Sequence, residues 1–184
     1  LGTSFLQLPP SFAGAQLPVL AAYLRELPEE FPFAVEVRHE DFYDYSSDEL
    51  ALEELLTRLQ MHRVIFDSRP LFSQPPGDEF EAEAQRRKPS FPLRQAVTGR
   101  RPMLRFIGRN DVEAVRPWID EWAPVIAGWI RDGLTPTVFA HTPHDQHAPD
   151  RVKAIHKAIT RSLPDLLPVA KWPGATVAAV QEAG

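Results

Sequence analysis

Residues 33–67 read FAVEVRHEDFYDYSSDELALEELLTRLQMHRVIFD and contain one complete strand–helix–strand unit. The run at 33–38 is rich in β-branched and aromatic residues, as is the run at 64–67, and both favour strands. Between them Ser46 and Glu49 have the spacing of a capping box, which marks a helix start. One apolar stripe then follows at Leu52, Leu55, Leu56 and Leu59. This order predicts a βαβ unit, whose two strands are parallel.

The same alternation extends outward to both ends of the chain. Strands are predicted near residues 3–8, 33–38, 63–68, 102–107 and 136–141, with amphipathic helical stripes between most of them. Five strands alternating with helices predict a parallel α/β sheet in sequential order. In the helix after the fourth strand, Pro117 and Pro124 are expected to divide or bend it, because proline breaks the helical hydrogen-bond ladder.

Residues 70–101 interrupt the alternation with five prolines and a charged segment. Connections of this length tend to be functional lids or mobile segments. A short helix is predicted there at 79–87. It leads into a compact basic run, Arg86-Arg87-Lys88, which could clamp a phosphate or carboxylate. The alternative is a solvated loop charge beside the glutamates at 79, 81 and 83.

Polar side chains lie near the carboxyl end of every predicted strand. Residues two apart share one face of a strand, and parallel α/β folds bind ligands at the carboxyl ends of their strands. We therefore expect one mouth that gathers Gln7, Glu36, Arg38, Asp67, Arg105 and His141. The alternative is an internal ion-pair network with no ligand.

The first functional hypothesis is an enzyme acting on a small anionic substrate, a phosphate ester or carboxylate, by acid–base chemistry. Its predicted catalytic residues are Glu36, Asp67 and His141, and its predicted substrate-binding residues are Gln7, Arg38, Arg69 and Arg105. The second is a non-catalytic module that binds an anionic ligand or a nucleic acid through the same arginines. The third is a truncated, inactive product. Paired carboxylates would favour binding, and an acid within reach of an open pocket would favour the enzyme.

The amino-acid composition excludes some kinds of site and disfavours some partners. The absence of cysteine excludes disulfides, thiol nucleophiles and Cys-ligated metal sites. A net charge of −5 disfavours nucleic acid as the partner. The chain has no apolar stretch of membrane-spanning length, so we expect a cytoplasmic protein without a membrane partner.

Histidines spaced three apart after the fifth strand raise the question of a metal. No compact ligand motif fixes their geometry, so no cofactor is predicted, although the sequence leaves room for a divalent ion. Its only plausible ligands are Glu36, Asp67, His141, His144, Asp145 and His147.

Six short motifs occur in order along residues 1–174. They are Gln7-Leu8-Pro9-Pro10, Ala34-Val35-Glu36-Val37-Arg38-His39, Asp67-Ser68-Arg69-Pro70, Arg86-Arg87-Lys88-Pro89, Arg105-Phe106-Ile107-Gly108 and His147-Ala148-Pro149. Together they resemble the YecE-like family, a domain of unknown function numbered seventy-two. The resemblance implies a TIM-barrel-like fold and no established activity. The last ten residues, 175–184, are expected to be a frayed tail.

The chain departs from that family in two respects. Family members usually carry a further segment with the first three βα units before the Gln-Leu-Pro-Pro motif. The resemblance therefore implies that this chain is the C-terminal part of an incomplete barrel. We expect the missing segment, or a second chain, to cover the open sheet edges. Many members also have an Asn-Asn pair where this chain has His141-Thr142, and glycine at the position of Gln146.

Overall fold

Five parallel strands form a single sheet in the order in which they occur along the chain. The computed structural model describes residues 2–166, so the predicted tail at 175–184 lies outside the described residues. The strands are β1 (Ser4–Gln7), β2 (Phe33–Glu36), β3 (His62–Asp67), β4 (Met103–Ile107) and β5 (Thr137–His141). Each predicted strand is confirmed to within two residues at either end, and all four pairings are parallel.

Helices follow the strands in the predicted alternation. They are α1 (Leu17–Arg25), α2 (Ser47–Arg58), α3 (Arg69–Phe72), α4 (Glu79–Arg87), α5 (Arg116–Arg131) and α6 (Ala148–Ser162). Short 3-10 turns occur at Gly14–Gln16, Glu40–Phe42, Glu113–Val115 and Asp145–His147. Among these described helices, none combines the length and the apolar character that a lipid bilayer requires.

The two prolines that were expected to divide or bend the fifth helix do not divide it. Pro117 lies in the first turn of α5, where its missing N–H costs no hydrogen bond, and Pro124 lies inside the helix. The helix nevertheless runs without a break from Arg116 to Arg131. Its buried face, which includes Ile119, Trp122 and Ile126, packs into the core and offsets the lost hydrogen bond.

The convex face of the sheet carries two separate apolar cores. Helices α1 and α2 cover β1 and β2, where Leu24, Val35 and Leu56 are buried together. Helices α5 and α6 cover β3, β4 and β5, where Leu104 and Trp122 belong to a second cluster. The middle strand β3 joins the two halves, because it pairs with β2 on one side and β4 on the other.

The concave face shows how strongly the sheet curls. Phe5 of β1 and Phe139 of β5 lie on the two outermost strands, about 19 Å apart if four strand spacings were laid flat. Their ring centroids are instead 6.0 Å apart. The five strands therefore form a curled half-barrel, an incomplete TIM-barrel-like α/β fold. Its concave face gathers the interior side chains of strands that are not neighbours.

Burial of His62 at the start of β3 makes the fold sensitive to acid. The imidazole is almost fully buried, its Nε2 accepts a hydrogen bond from the Arg101 amide at 3.1 Å, and its Nδ1 has no partner within the described chain. Burial, and then the charge of Arg101, lower the pKa of His62 to about 4. The folded state therefore favours the neutral ring.

We expect acid to destabilise the protein through His62. Between the unfolded pKa near 6.5 and the folded pKa, the unfolded chain binds the extra proton, so stability falls as pH falls. The free energy of unfolding should drop by about 2 kcal/mol from pH 7.5 to pH 5 through this residue. Urea unfolding of the native chain and of His62→Gln at both pH values measures it. Equal pH dependence in the two proteins would contradict the assignment.

Candidate functional site

Four of the predicted residues meet at the carboxyl end of the concave face. Gln7 and Glu36 are partners in the register between β1 and β2, and Arg38 follows two residues later on the same face. Arg105 reaches them from β4, across the intervening strand β3. We call this cluster of Gln7, Glu36, Arg38 and Arg105 the mouth.

Two guanidinium groups share the same two acceptors in the mouth. Glu36 Oε1 accepts a hydrogen bond from Arg38 Nε at 2.8 Å, and Glu36 Oε2 accepts one from Arg105 Nη1. Gln7 Oε1 accepts from Arg38 Nη2 at 2.9 Å and from Arg105 Nη1 at 3.2 Å. With 1% exposure, Glu36 is a buried carboxylate that is fully paired. It therefore holds the two arginines in place, and the cluster keeps a net positive charge.

Aromatic rings form the floor beneath the arginines. The Cζ atoms of Arg38 and Arg105 lie 6.0 Å and 5.8 Å from the ring centroid of Phe66, and Arg105 Cζ lies 5.2 Å from that of Phe5. Cations at these distances are attracted by the electrons of the ring face. The guanidinium groups are thus held in place by the aromatic rings on one side and by hydrogen bonds to Glu36 and Gln7.

Helix α4, from the long 70–101 connection, lies over this end of the concave face. Its Ala84 is buried together with Phe66 and Ile107, whose side chains point into the half-barrel. The predicted short helix at 79–87 is confirmed with the same bounds. Asp78 caps it, because its Oδ1 accepts a hydrogen bond from the Glu81 amide at 2.8 Å.

Polar contacts join α4 to the loops that follow β4 and β5. Glu81 is buried and accepts hydrogen bonds from the Arg109 guanidinium and from the Asn110 amide, the latter at 3.0 Å. Asn110 in turn donates to Asp78 Oδ2 at 2.7 Å and accepts from the His144 amide at 2.8 Å. The helix is therefore held over the mouth by the loop after β4, which is itself bonded to the loop after β5.

Lys88, at the end of α4, brings a further cation to the mouth. Its amide donates to the carbonyl of Ala84 at 2.9 Å, which fixes the backbone one turn above the buried Ala84. Burial lowers the pKa of the Lys88 ammonium, and the positive charges of Arg105 and Arg38 lower it further. The basic run that contains Lys88 was considered from the sequence as an anion clamp, but Lys88 was not among the residues predicted to line the mouth.

His141 ends β5 on the same face. It pairs with Ile107 in the register of β4 and β5, and its side chain is partly buried. Burial lowers the pKa of His141, and the charges of Lys88 and Arg105 lower it further. The imidazole is therefore neutral at physiological pH, so it can accept a proton.

Comparison with known proteins places the chain in a family. The model described as "Protein of unknown function DUF72" matches residues 1–174. The chain belongs to the DUF72 family. The UPF0759 protein YecE of Escherichia coli strain K12 is 36% identical to it over 166 residues, which cover 90% of this chain and 61% of YecE. The YecE protein of Escherichia coli O157:H7 matches with the same identity and coverage.

A solved structure supports the fold of this DUF72 chain. A crystal structure of a DUF72 family protein from Enterococcus faecalis V583 superimposes with a TM-score of 0.55 at 16% sequence identity, covering 87% of this chain and 60% of that protein. The chain spans about three fifths of the length of the relatives that it matches. At this identity the likeness concerns the fold alone.

Two predicted residues of the DUF72 chain are not in the mouth. Asp67 faces α5 on the convex side: its Oδ2 accepts from Trp122 Nε1 at 2.7 Å and from Arg69 Nη2 at 2.8 Å. Arg69 Nη2 also donates to Glu121, at 3.0 Å. The expectation that Asp67 shares a face with Glu36 is wrong. Alternation orders the faces within one strand, but the register pairs Phe66, not Asp67, with Arg105.

Arg86 and Arg87 of the basic run make surface ion pairs, and His144 makes contacts within its own loop and with α4. Arg86 and Arg87 pair with the exposed Glu83 on the solvent side of α4, as the alternative to an anion clamp proposed. His144 accepts a hydrogen bond from the Gln146 amide at 3.3 Å, and its ring meets that of Phe80 at 4.4 Å.

The metal ligands considered from the sequence are not gathered in one place. Across residues 2–166 no three His, Asp or Glu side chains converge in a way that could hold a metal ion. Glu36 is committed to two arginines, and Asp67 lies on the opposite face of the sheet.

Proposed function

We propose that the mouth binds a small anionic ligand, a phosphate ester or a carboxylate, and performs acid–base chemistry on it. The observation that carries the proposal is the charge balance. Arg38 and Arg105 bring two permanent positive charges to a partly buried site where Glu36 is the paired carboxylate, and the amine of Lys88 lies near both arginines. Excess charge of one sign inside a concave, partly desolvated site attracts a ligand of the other sign.

Arginine suits this task because its planar fork of N–H donors matches phosphate and carboxylate oxygens in pairs. Arg38 and Arg105 use only some of their donors on Glu36 and Gln7, and each side chain retains some exposure, 15% and 13%. The remaining donors are available to a ligand. Glu36 and Gln7 keep the two forks in a fixed position, so less entropy is lost on binding.

The catalytic part of the proposal centres on His141. A general base must be unprotonated at the working pH, and the lowered pKa of His141 supplies that state beside the bound anion. Glu36 positions the arginines in this scheme and transfers no proton. Asp67 and Arg69, on the other face of the sheet, take no part.

A second candidate is a binding module without catalysis. It is favoured by the pairing of both Glu36 oxygens, which leaves no free carboxylic acid among the residues of the mouth. The two candidates differ in the fate of the ligand. An enzyme converts a bound compound and loses that conversion in His141→Gln, whereas a module releases the compound unchanged.

We expect loss of either arginine to weaken anion binding by about tenfold or more. Isothermal titration calorimetry of inorganic phosphate and of malonate against the native chain, Arg38→Gln and Arg105→Gln measures the effect. Arg58→Gln is the matched control, because Arg58 is exposed and pairs with Glu54 on α2, away from the mouth. Affinity should also fall with added salt. Equal affinity in all four proteins, or no binding of either anion, would contradict the proposal.

A further inference from the structure

The position of Lys88 indicates a role beyond electrostatic attraction of an anion. Ala84, one turn earlier on α4, packs against Phe66 and Ile107 inside the half-barrel. Residues four apart lie on the same side of a helix. The Lys88 side chain therefore leaves the end of the helix on the side of the mouth, close enough to Arg105, Arg38 and Glu36 for their charges to shift its pKa.

Lys88 also differs from a lysine that serves in a salt bridge. Lys153 on α6 is such a case, since its Nζ lies 3.0 Å from Asp150. Within the described part of the chain, no carboxylate forms an ion pair with Lys88, although Glu36 and Asp145 act on it at longer range. The backbone around it is fixed at the next residue too, because Ser68 Oγ donates to the carbonyl of Pro89 at 2.9 Å.

We propose that Lys88 is a carbonyl-reactive amine, which forms a Schiff base with an anionic aldehyde or ketone held in the mouth. The substrate class is a small carbonyl compound that carries a phosphate or carboxylate, such as a 2-oxo acid or a ketose phosphate. This inference rests on the proposed function, because Arg38 and Arg105 hold the anionic end of the substrate while its carbonyl group faces Lys88.

The arrangement provides what this chemistry requires. Amines attack carbonyl carbon only when neutral, and desolvation beside other cations is the common way to obtain a neutral lysine. Two guanidinium groups that cannot lose their protons meet that condition here. Partial burial of Lys88 acts in the same direction.

The reaction is balanced without a further reactant. Neutral Nζ attacks the carbonyl carbon, a C–N bond forms, and the carbonyl oxygen becomes the hydroxyl of a carbinolamine. The C–O bond then breaks, water leaves, and a C=N bond remains, so amine and carbonyl give imine and one water. Neutral His141 is placed to carry the proton from nitrogen to the departing hydroxyl group.

Reductive trapping tests the inference. The native chain is incubated with sodium cyanoborohydride and one probe, either dihydroxyacetone phosphate or pyruvate, and the modified lysine is located by peptide mass spectrometry. Dihydroxyacetone and acetone are the matched neutral probes. We expect an adduct at Lys88 that exceeds the one at Lys153 by about tenfold. Lys88→Arg, which keeps the charge, should lose it, and Arg105→Gln should reduce it more for the anionic probes than for the neutral ones.

The outcomes separate this inference from the proposed function. Calorimetric binding of inorganic phosphate with no selective adduct at Lys88 would overturn the inference and leave the anion site standing. Equal labelling of Lys88 by anionic and neutral probes would overturn it as well. The far-ultraviolet circular dichroism of Lys88→Arg should match that of the native chain, so that loss of the adduct is not a loss of folding.

Discussion

Replacement of Arg63 by methionine should lower the free energy of unfolding by about 3–5 kcal/mol, the cost of breaking a buried ion pair from one side. Arg63 lies inside β3 on the face covered by α2, and its side chain is 1% exposed. Its Nη1 donates to Glu49 Oε1 at 2.9 Å and to Glu53, and its Nη2 donates to the carbonyl of Phe42. Methionine would remove this donor from Glu53 and from the carbonyl of Phe42, and would leave Glu49 with one donor fewer.

The matched control is Arg58→Met on the surface of α2. Arg58 also pairs with a glutamate, Glu54, but both side chains are about two-thirds exposed. Exposed helical pairs contribute roughly 0.5 kcal/mol or less. Urea unfolding monitored by tryptophan fluorescence compares the two variants with the native chain. A loss below about 1 kcal/mol in Arg63→Met would show that Arg94, which also donates to Glu49, compensates for it.

Asp67→Asn should destabilise the fold by about 2–4 kcal/mol while leaving anion binding unchanged. Asp67 accepts hydrogen bonds from the Arg69 amide, from two nitrogens of its guanidinium and from Trp122. The amide of asparagine turns one acceptor oxygen into a donor that faces other donors. Because the residue faces α5, the affinity for inorganic phosphate should match that of the native chain.

Glu121→Gln serves as the control for this variant. Glu121 contacts the same guanidinium, at 3.0 Å, from a side chain that is 46% exposed. Loss of this contact should lower the free energy of unfolding by less than about 0.5 kcal/mol. Urea unfolding and phosphate calorimetry on both variants give the two measurements. A weakened phosphate affinity in Asp67→Asn at full stability would return this residue to the site.

Local patterns predicted the elements of this fold well. The strands, their parallel direction and the helix at 79–87 follow from alternation, periodicity and capping, which depend on residues close in sequence. Alternation within single strands also correctly associated Glu36 with Arg38. The helix is not divided at Pro124, because packing of a whole helix face outweighs one lost hydrogen bond.

The sequence did not show which residues of different strands lie on the same face of the sheet, because this depends on the register between segments far apart in sequence. Asp67 was therefore assigned to the wrong face, whereas Gln7, Glu36 and Arg105 were correctly brought together. Lys88 was considered as part of an anion-clamping run but was not assigned to the mouth, because nothing local distinguishes it from Arg86 and Arg87, which face solvent. One signal was available for Arg63, since a charge inside a strand buried on both faces needs a partner, and Glu49 and Glu53 lie one helical turn apart.

The ion pair between Glu36 of β2 and Arg105 of β4 affects how cooperatively the protein unfolds. The two convex cores are built from different helices on either side of β3, so each is a natural candidate for a unit that opens separately. Glu36 and Arg105 span that junction on the concave side. A ligand bound by both Arg38 and Arg105 would connect one unit to the other. Its binding energy would then oppose partial opening as well as global unfolding, and regions far from the ligand would share its stabilisation.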